Sequence, residues 1–341
     1  MPRRDIVVIG ASAGGREAIV ELSRKLPADF PAPIFIVWHM PPSGTGILPY
    51  LLSKYSQLKA STAKDGEEIV PGQVYCAPVD HHLLIEPGRI RVTKGPRENR
   101  FRPAIDPLFR SAAYAYGPRV IGIILSGALN DGTSGLWAIK DRGGVAIVQD
   151  PADALVAGMP ESALQNVEVD HRVPVSEMAQ LLMQLVSEPI EAKGRAPVSH
   201  KLEIEVKIAK EDRPSEKDIQ TLGQVSEFTC PECHGTLWQL VEGNNLRFRC
   251  RTGHAYSADA LLEDMNESIE AMEWAAIRGI EESAVLMEHL ARHLNQSGQA
   301  DTADRFIARA VKARKRSEQI RDALFSDNEH QPEEEHGNAP T

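Results

Sequence analysis

Short runs of β-branched residues, each followed by a helix-length amphipathic stretch, constrain the first 187 residues more than any other feature. Apolar runs at 6–10, 33–38, 120–125 and 144–148 read as strands, and helical spacing marks 15–26, 46–56, 105–115, 132–141 and 176–187. Strands alternating with helices predict an α/β fold: a doubly wound, mostly parallel sheet with helices on both faces. Between these elements, "GQVYCAPVDHHLLIEPGRIRVTKG" reads as two or three short strands turning at Pro87-Gly88, an antiparallel hairpin added to the main sheet.

The glycines at the first strand-to-helix turn leave two chemistries open. A dinucleotide fingerprint needs G-x-G-x-x-G, but the glycines here are Gly10, Gly14 and Gly15, and Ser12 takes the second slot. The alternative is G-x-S-x-G, as Gly10-Ala11-Ser12-Ala13-Gly14, with the serine on a tight turn and a helix N-terminus beside it. A nucleophilic serine needs a base, and the base needs an orienting partner. His39 ends the second strand and Asp131 follows the 120–125 strand, so both fall on the carboxyl edge of the sheet with Ser12. Each has a plainer reading alone, His39 as a structural histidine and Asp131 as a helix N-cap. Their convergence from three strands favours a serine hydrolase.

Residues 1–186 hold 19 basic and 19 acidic side chains, so of the 38 and 48 in the whole chain the remaining 155 residues hold 19 and 29. Neither part has the basic balance of a nucleic-acid-binding domain. No apolar run approaches the roughly 20 residues of a membrane span, and the N-terminus lacks a signal-peptide core. A cytoplasmic protein without membrane insertion is expected. Cys76 stands alone and reads as a buried core thiol.

Past residue 187 the character changes. Residues 188–226 are polar and proline-containing, apart from the alternating Leu202, Ile204, Val206 and Ile208, and read as a linker carrying a strand or an arm. Residues 227–256 contain Cys230-Pro-Glu-Cys233 and Cys250-Arg-Thr-Gly-His254. Such close pairs can set three thiolates and an imidazole tetrahedrally around a structural Zn²⁺, with His234 as a spare donor. A redox C-x-x-C would instead open a helix beside a parallel sheet. With all four positions filled by protein, the metal would have no catalytic role; it would supply on the order of 10 kcal/mol towards folding the module. Residues 257–326 predict a helical hairpin broken at Asn295–Gly298, packed through Leu261, Met265, Ile269, Met272, Ala276 and Ile280. The acidic tail 327–341 reads as disordered.

The blocks "VIGASAGG", "VWHMPP", "GQVYCAPVDHHLLI", "RPAIDPLFRSAA", "ILSGALNDGTSGL" and "AGMPESA" occur in the order found in CheB-type chemotaxis protein-glutamate methylesterase domains, which residues 4–187 resemble. The resemblance implies hydrolysis of glutamate γ-methyl esters on chemoreceptors, releasing methanol without a catalytic cofactor, and deamidation of glutamine through the same acyl-enzyme. It implies Ser12 as nucleophile, His39 as base and Asp131 as its partner. The oxyanion would meet N–H groups at Ala13, Gly14 and Ala128, with Met159 near the substrate. The basic cluster Arg89, Arg91, Lys94, Arg97, Arg100 and Arg102 reads on its own as a solvated face; the alternative is that Arg100 or Arg102 helps dock an acidic receptor helix. Three positions depart from the family pattern: Ala13 stands where Thr is common, Ala128 where Met is, and Trp38 where Gln is. The family's usual receiver domain is not expected here, which assigns regulation to the C-terminal part or to another protein. The contrasting expectation is a weak or inactive signalling adaptor that binds partners through the cysteine module and helices.

Overall fold

The computed structural model describes residues 3–190, 197–212 and 216–328, so most of the acidic tail lies outside the described residues. The chain forms two compact units, one ending at Leu262 and one beginning at Glu263.

The first unit is built on β1 (Ile6–Ala11), α1 (Gly15–Lys25), β2 (Ile34–Trp38), α2 (Leu48–Tyr55), β3 (Lys59–Thr62), β4 (Gln73–Cys76), β5 (His82–Glu86) and β6 (Arg89–Thr93). It continues through α3 (Ile105–Tyr116), β7 (Val120–Ile124), α4 (Thr133–Asp141), β8 (Val145–Gln149), α5 (Gly158–Asn166), β9 (His171–Val173) and α6 (Val175–Ser187). Seven strands pair in the order β3-β4-β2-β1-β7-β8-β9, all parallel. The central strands are buried on both faces, which is why they read as continuous apolar runs. In β1, Ile6 and Val8 join one core with α3 and α4, while Val7, Ile9 and Ala11 join the other with α1 and α6. Cys76 is buried in that second core, and burial pushes its thiol up to about 12.

Two expectations need correction. The β5–β6 hairpin turns at Pro87-Gly88 but forms its own two-stranded sheet, while β4 joins the main sheet in parallel. The alternating stretch after residue 200 is a helix, α7 (His200–Ala209), and a second helix, α8 (Glu216–Leu222), follows it. Leu202 and Val206 face the α3 side, whereas Ile204 and Ile208 pack on Leu222 and Leu240. Two i,i+4 stripes on opposite faces of a wedged helix imitate strand alternation.

The cysteine module is an antiparallel sheet of β10 (Gln224–Thr229), β11 (Thr236–Glu242), β12 (Asn245–Cys250) and β13 (Ala255–Ser257). It is fastened to α3 and α7 by buried charges. Arg249 bonds Glu98 at 2.9 Å and Glu205 at 2.8 Å, Arg247 lies 3.3 Å from Glu205, and Arg110 pairs with Glu98. Their side chains are at most 3% exposed.

The second unit holds the rest of α9 (Ala258–Gln296) and α10 (Ala300–Asn328). Its seam is a heptad series of Ile277, Ala284 and Ala291 with Ala303, Ala310, Ser317 and Leu324, all buried. Arg314–Glu288 and Arg321–Glu281 pairs, at 2.8 and 2.6 Å, set the antiparallel register. The expected stripe is not this seam: Ile269 and Met272 are 48% and 62% exposed, because small residues let the two helices meet on a different face.

The buried charges generate a test. Burial alone would push the Glu205 carboxyl up, but Arg249, Arg247 and Arg110 outweigh it and hold the group at about 2, below its ordinary 4.5. A lowered folded-state value stabilises the protein fully above the unfolded value, and that contribution is lost as pH falls from 4.5 towards 2. Glu205→Gln should cost about 3–5 kcal/mol at pH 7, since it leaves buried guanidinium groups short of an anion. Urea midpoints at pH 7 and pH 3 check this, and the variant should show the smaller drop between the two.

Candidate active site

The strand order reverses direction between β1 and β7, and the loops leaving the carboxyl ends of β1, β2 and β7 meet there. Ser12 follows β1 directly, held by its N–H to the Ser126 carbonyl at 2.9 Å and by the Trp38 indole N–H to its own carbonyl at 3.0 Å. The His39 N–H donates to the Ala11 carbonyl at 3.0 Å, tying the end of β2 to that of β1. Gly14 adopts φ 71°, the left-handed region, and caps α1. A Cβ on Gly127 would fall 2.8 Å from the Ser12 Cβ and 2.2 Å from the Met159 sulfur, so the β7 loop reaches the serine only because that residue is glycine.

Asp131 is 1% exposed and collects donors from several elements. Oδ2 accepts His39 Nε2 and the Ile105 N–H, each at 2.7 Å. Oδ1 accepts Asn99 Nδ2 at 2.8 Å, the Gly132 N–H at 3.0 Å and the Asp106 N–H at 3.3 Å. Its position is therefore across the N-terminus of α3, whose dipole favours an anion, rather than simply the cap of the helix that follows it. Burial opposes the charge, but the His39 ring and the Ile105 and Asn99 donors outweigh it and hold Asp131 below the usual carboxylate range. Its neighbour Asp106 shows the converse, with burial and the Asp131 charge pushing it up to about 7.

The imidazole of His39 stacks on Phe101, ring centres 3.7 Å apart and 10° from parallel. With Nε2 committed to Asp131, the buried Nδ1 is left without a hydrogen-bond partner. Ser12 and His39 line an open cleft of about 400 Å³ together with Met40–Pro42, Arg97, Arg100, Phe101 and Arg102. No acceptor among the described residues takes the N–H groups of Ala13, Gly14 or Ala128.

Two expected residues sit differently from their expected roles. Met159 is fully buried, and its N–H donates to the Gly127 carbonyl at 2.8 Å, so it supports the loop beneath the serine instead of lining the cleft. Arg102 lines the cleft but forks onto Asp80 at 2.9 and 2.8 Å and onto the Gly95 carbonyl at 2.9 Å. Asn99, Phe101 and Gly127 escaped the sequence reading. Asn99 and Phe101 stand in a run of arginines that reads as a solvated basic loop.

A second donor cluster lies in the cysteine module. One ligand atom from each of Cys230, Cys233, Cys250 and His254 lies within 4.8 Å of every other. His234 is not among them.

A family model described as CheB methylesterase matches residues 7–182. A putative protein-glutamate methylesterase/protein-glutamine glutaminase of Leptospira interrogans is 40% identical over 190 residues, covering 55% of this chain and 98% of its own. Protein-glutamate methylesterase/protein-glutamine glutaminase 2 of Anaeromyxobacter dehalogenans is 41% identical over 183 residues, covering 54% of each chain. The crystal structure of the Thermotoga maritima CheB methylesterase catalytic domain aligns with TM-score 0.52 and 38% identity, over 55% of this chain and all of that one. The chain thus spans about half the length of the Anaeromyxobacter relative and nearly all of the Leptospira one.

The geometry around Asp131 yields an expectation independent of chemistry. Asp131→Ala strands several buried donors and should destabilise the protein by about 2–4 kcal/mol. Ser12→Ala, which removes a half-buried hydroxyl, should stay within about 0.5 kcal/mol of the parent. Denaturant titrations of the two variants measure the difference.

Proposed function

Because the chain belongs to the CheB methylesterase family, we propose that it hydrolyses glutamate γ-methyl esters on a chemoreceptor-type protein, with Ser12 as nucleophile, His39 as base and Asp131 as the group that holds the base. The observation that carries this reading is the His39 ring: Nε2 is fixed on Asp131 at 2.7 Å while Nδ1, beside the cleft that Ser12 also lines, has no partner.

Nδ1 takes the proton from the Ser12 hydroxyl as Oγ attacks the ester carbonyl. The developing oxyanion meets N–H groups that no protein acceptor among the described residues takes, those of Ala13 or Gly14 on the serine's turn and of Ala128 on the β7 loop. His39 then returns the proton to the departing methoxide, releasing methanol. Water, activated by the same nitrogen, hydrolyses the acyl-enzyme to leave a glutamate carboxylate. Asp131 keeps the Nε2 tautomer during the first transfer and stabilises the imidazolium after it. A glutamine side chain follows the same course with ammonia as leaving group. Arg97 and Arg100, which line the cleft, suit an acidic segment of the target protein. Among the described residues no helix is long and apolar enough to cross a membrane, and a cytoplasmic site of action fits that.

Methanol release from a methylated receptor is the direct assay. Ser12→Ala should lower its rate by about 10⁶-fold if the three residues act as a unit. Gly127→Ala, which pushes on the Ser12 Cβ, should lower kcat by about 10²-fold through misplacement of the nucleophile. Release of methanol by Ser12→Ala at the parent rate refutes Ser12 as the nucleophile, whereas none from the parent protein refutes the esterase and leaves a binding role.

A further inference from the structure

We propose that Cys230, Cys233, Cys250 and His254 bind one zinc ion, and that this site holds Asn99 in place as a positioning residue for Asp131. The link to Asp131 rests on the triad reading; the metal site itself does not.

Cys233 Sγ lies 3.6 Å from Cys250 Sγ, and His254 Nδ1 lies 3.7 Å from Cys230 Sγ and 3.5 Å from Cys250 Sγ. A sulfur–sulfur separation of that size is not a disulfide, which needs about 2.05 Å. It is the edge of a tetrahedron, because Zn–S bonds of about 2.3 Å place two sulfurs roughly 3.8 Å apart. Three thiolates and one imidazole are soft enough to favour zinc over magnesium or calcium. The other ring nitrogen, His254 Nε2, is 3.2 Å from Glu232, the carboxylate between the first two cysteines. Such an outer carboxylate fixes the tautomer and orientation of a metal-binding histidine. Tight turns present the donors: the His234 N–H bonds the Cys230 carbonyl at 2.8 Å, and the Gly253 N–H bonds that of Cys250 at 3.0 Å.

The chain leaving His254 then runs against the segment that closes the triad. The Asn99 N–H donates to the Ala255 carbonyl at 2.7 Å, and the Ser257 N–H donates to Asn99 Oδ1 at 2.8 Å. The Asn99 amide nitrogen spends its N–H groups on Asp131 Oδ1 at 2.8 Å and Asp106 Oδ2 at 3.0 Å. Asn99 therefore makes four hydrogen bonds, two to the strand that follows His254 and two to the carboxylates behind His39. Its backbone sits at φ 48°, a left-handed conformation that a non-glycine residue keeps only where its surroundings enforce it. Two residues on, Phe101 carries the ring stacked on His39. Without the metal, the Cys250–His254 turn loses its clamp, β13 loosens, and Asn99 and Phe101 lose their support together.

The full-length chain, purified under reducing conditions, should contain one zinc per molecule with sulfur and nitrogen neighbours by X-ray absorption. Cys233→Ser should lose the ion, whereas His234→Ala should keep it. Chelator-stripped protein should exchange the amide hydrogens of Asn99 and Phe101 at least about tenfold faster, while β1, β2 and β7 keep their protection. The proton on His39 Nε2, seen by NMR, should be sharp in the loaded protein and broadened in the stripped one. Asn99→Ala should retain one zinc, lower kcat by about 10- to 100-fold with little change in KM, and move the acid limb of the pH–rate profile upward, since Asp131 loses a donor. Absence of zinc, loss of the ion from His234→Ala, or unchanged exchange at 97–101 after stripping overturns the proposal. Because the metal and exchange measurements need no turnover, they stand apart from failure of the esterase reading itself.

Discussion

A carboxylate removed from water stays ionised only if donors replace the solvent it has lost, and Asp131 collects five. They come from His39 after β2, from the 97–101 segment, from the N-terminus of α3 and from the turn into α4. Each of those pieces is thereby fixed relative to the others by one buried charge. Desolvation makes the arrangement all-or-none: a donor that moved away would leave the anion uncompensated in a low-dielectric setting. The neighbouring Asp106 shows how finely the balance is set. Two carboxylates share the Asn99 amide, and one is held low while the other is pushed up to about 7.

The parallel sheet was legible because β1, β2, β7 and β8 are buried on both faces and so carry unbroken apolar runs. Edge strands were not. β3 has the polar sequence Lys-Ala-Ser-Thr and β9 spans three residues, so neither has a face that needs continuous burial. Ser12, His39 and Asp131 could be placed together because each directly follows a readable strand. Asn99 could not, since its partners lie 32 and 158 residues away and its own context is a charged loop. α7 misled for a different reason: it is buried on two sides and carries Glu205, which points into a cluster of arginines instead of solvent.

About half of the chain corresponds to a known catalytic fold, and the cysteine module that follows reaches it through buried charge. Arg247 and Arg249 on β12 reach Glu98, which immediately precedes Asn99, and Glu205 on α7. An ion cluster of this kind adds less net stability than an apolar interface of equal size, but it tolerates very few alternative geometries. It therefore suits an interface whose register matters, and the register here determines where the residue next to Glu98 lies.

Trp38, just before the histidine, has its indole N–H 3.0 Å from the carbonyl of Ser12. Any event that shifts the serine's peptide, whether acylation, inhibitor capture or a loosened turn, must also change the polarity felt by that ring. The chain has only three other tryptophans, Trp137, Trp238 and Trp274. Trp38 thus places an intrinsic fluorophore against the Ser12 turn, and with the other three replaced by phenylalanine its emission would follow the occupancy of the site in real time.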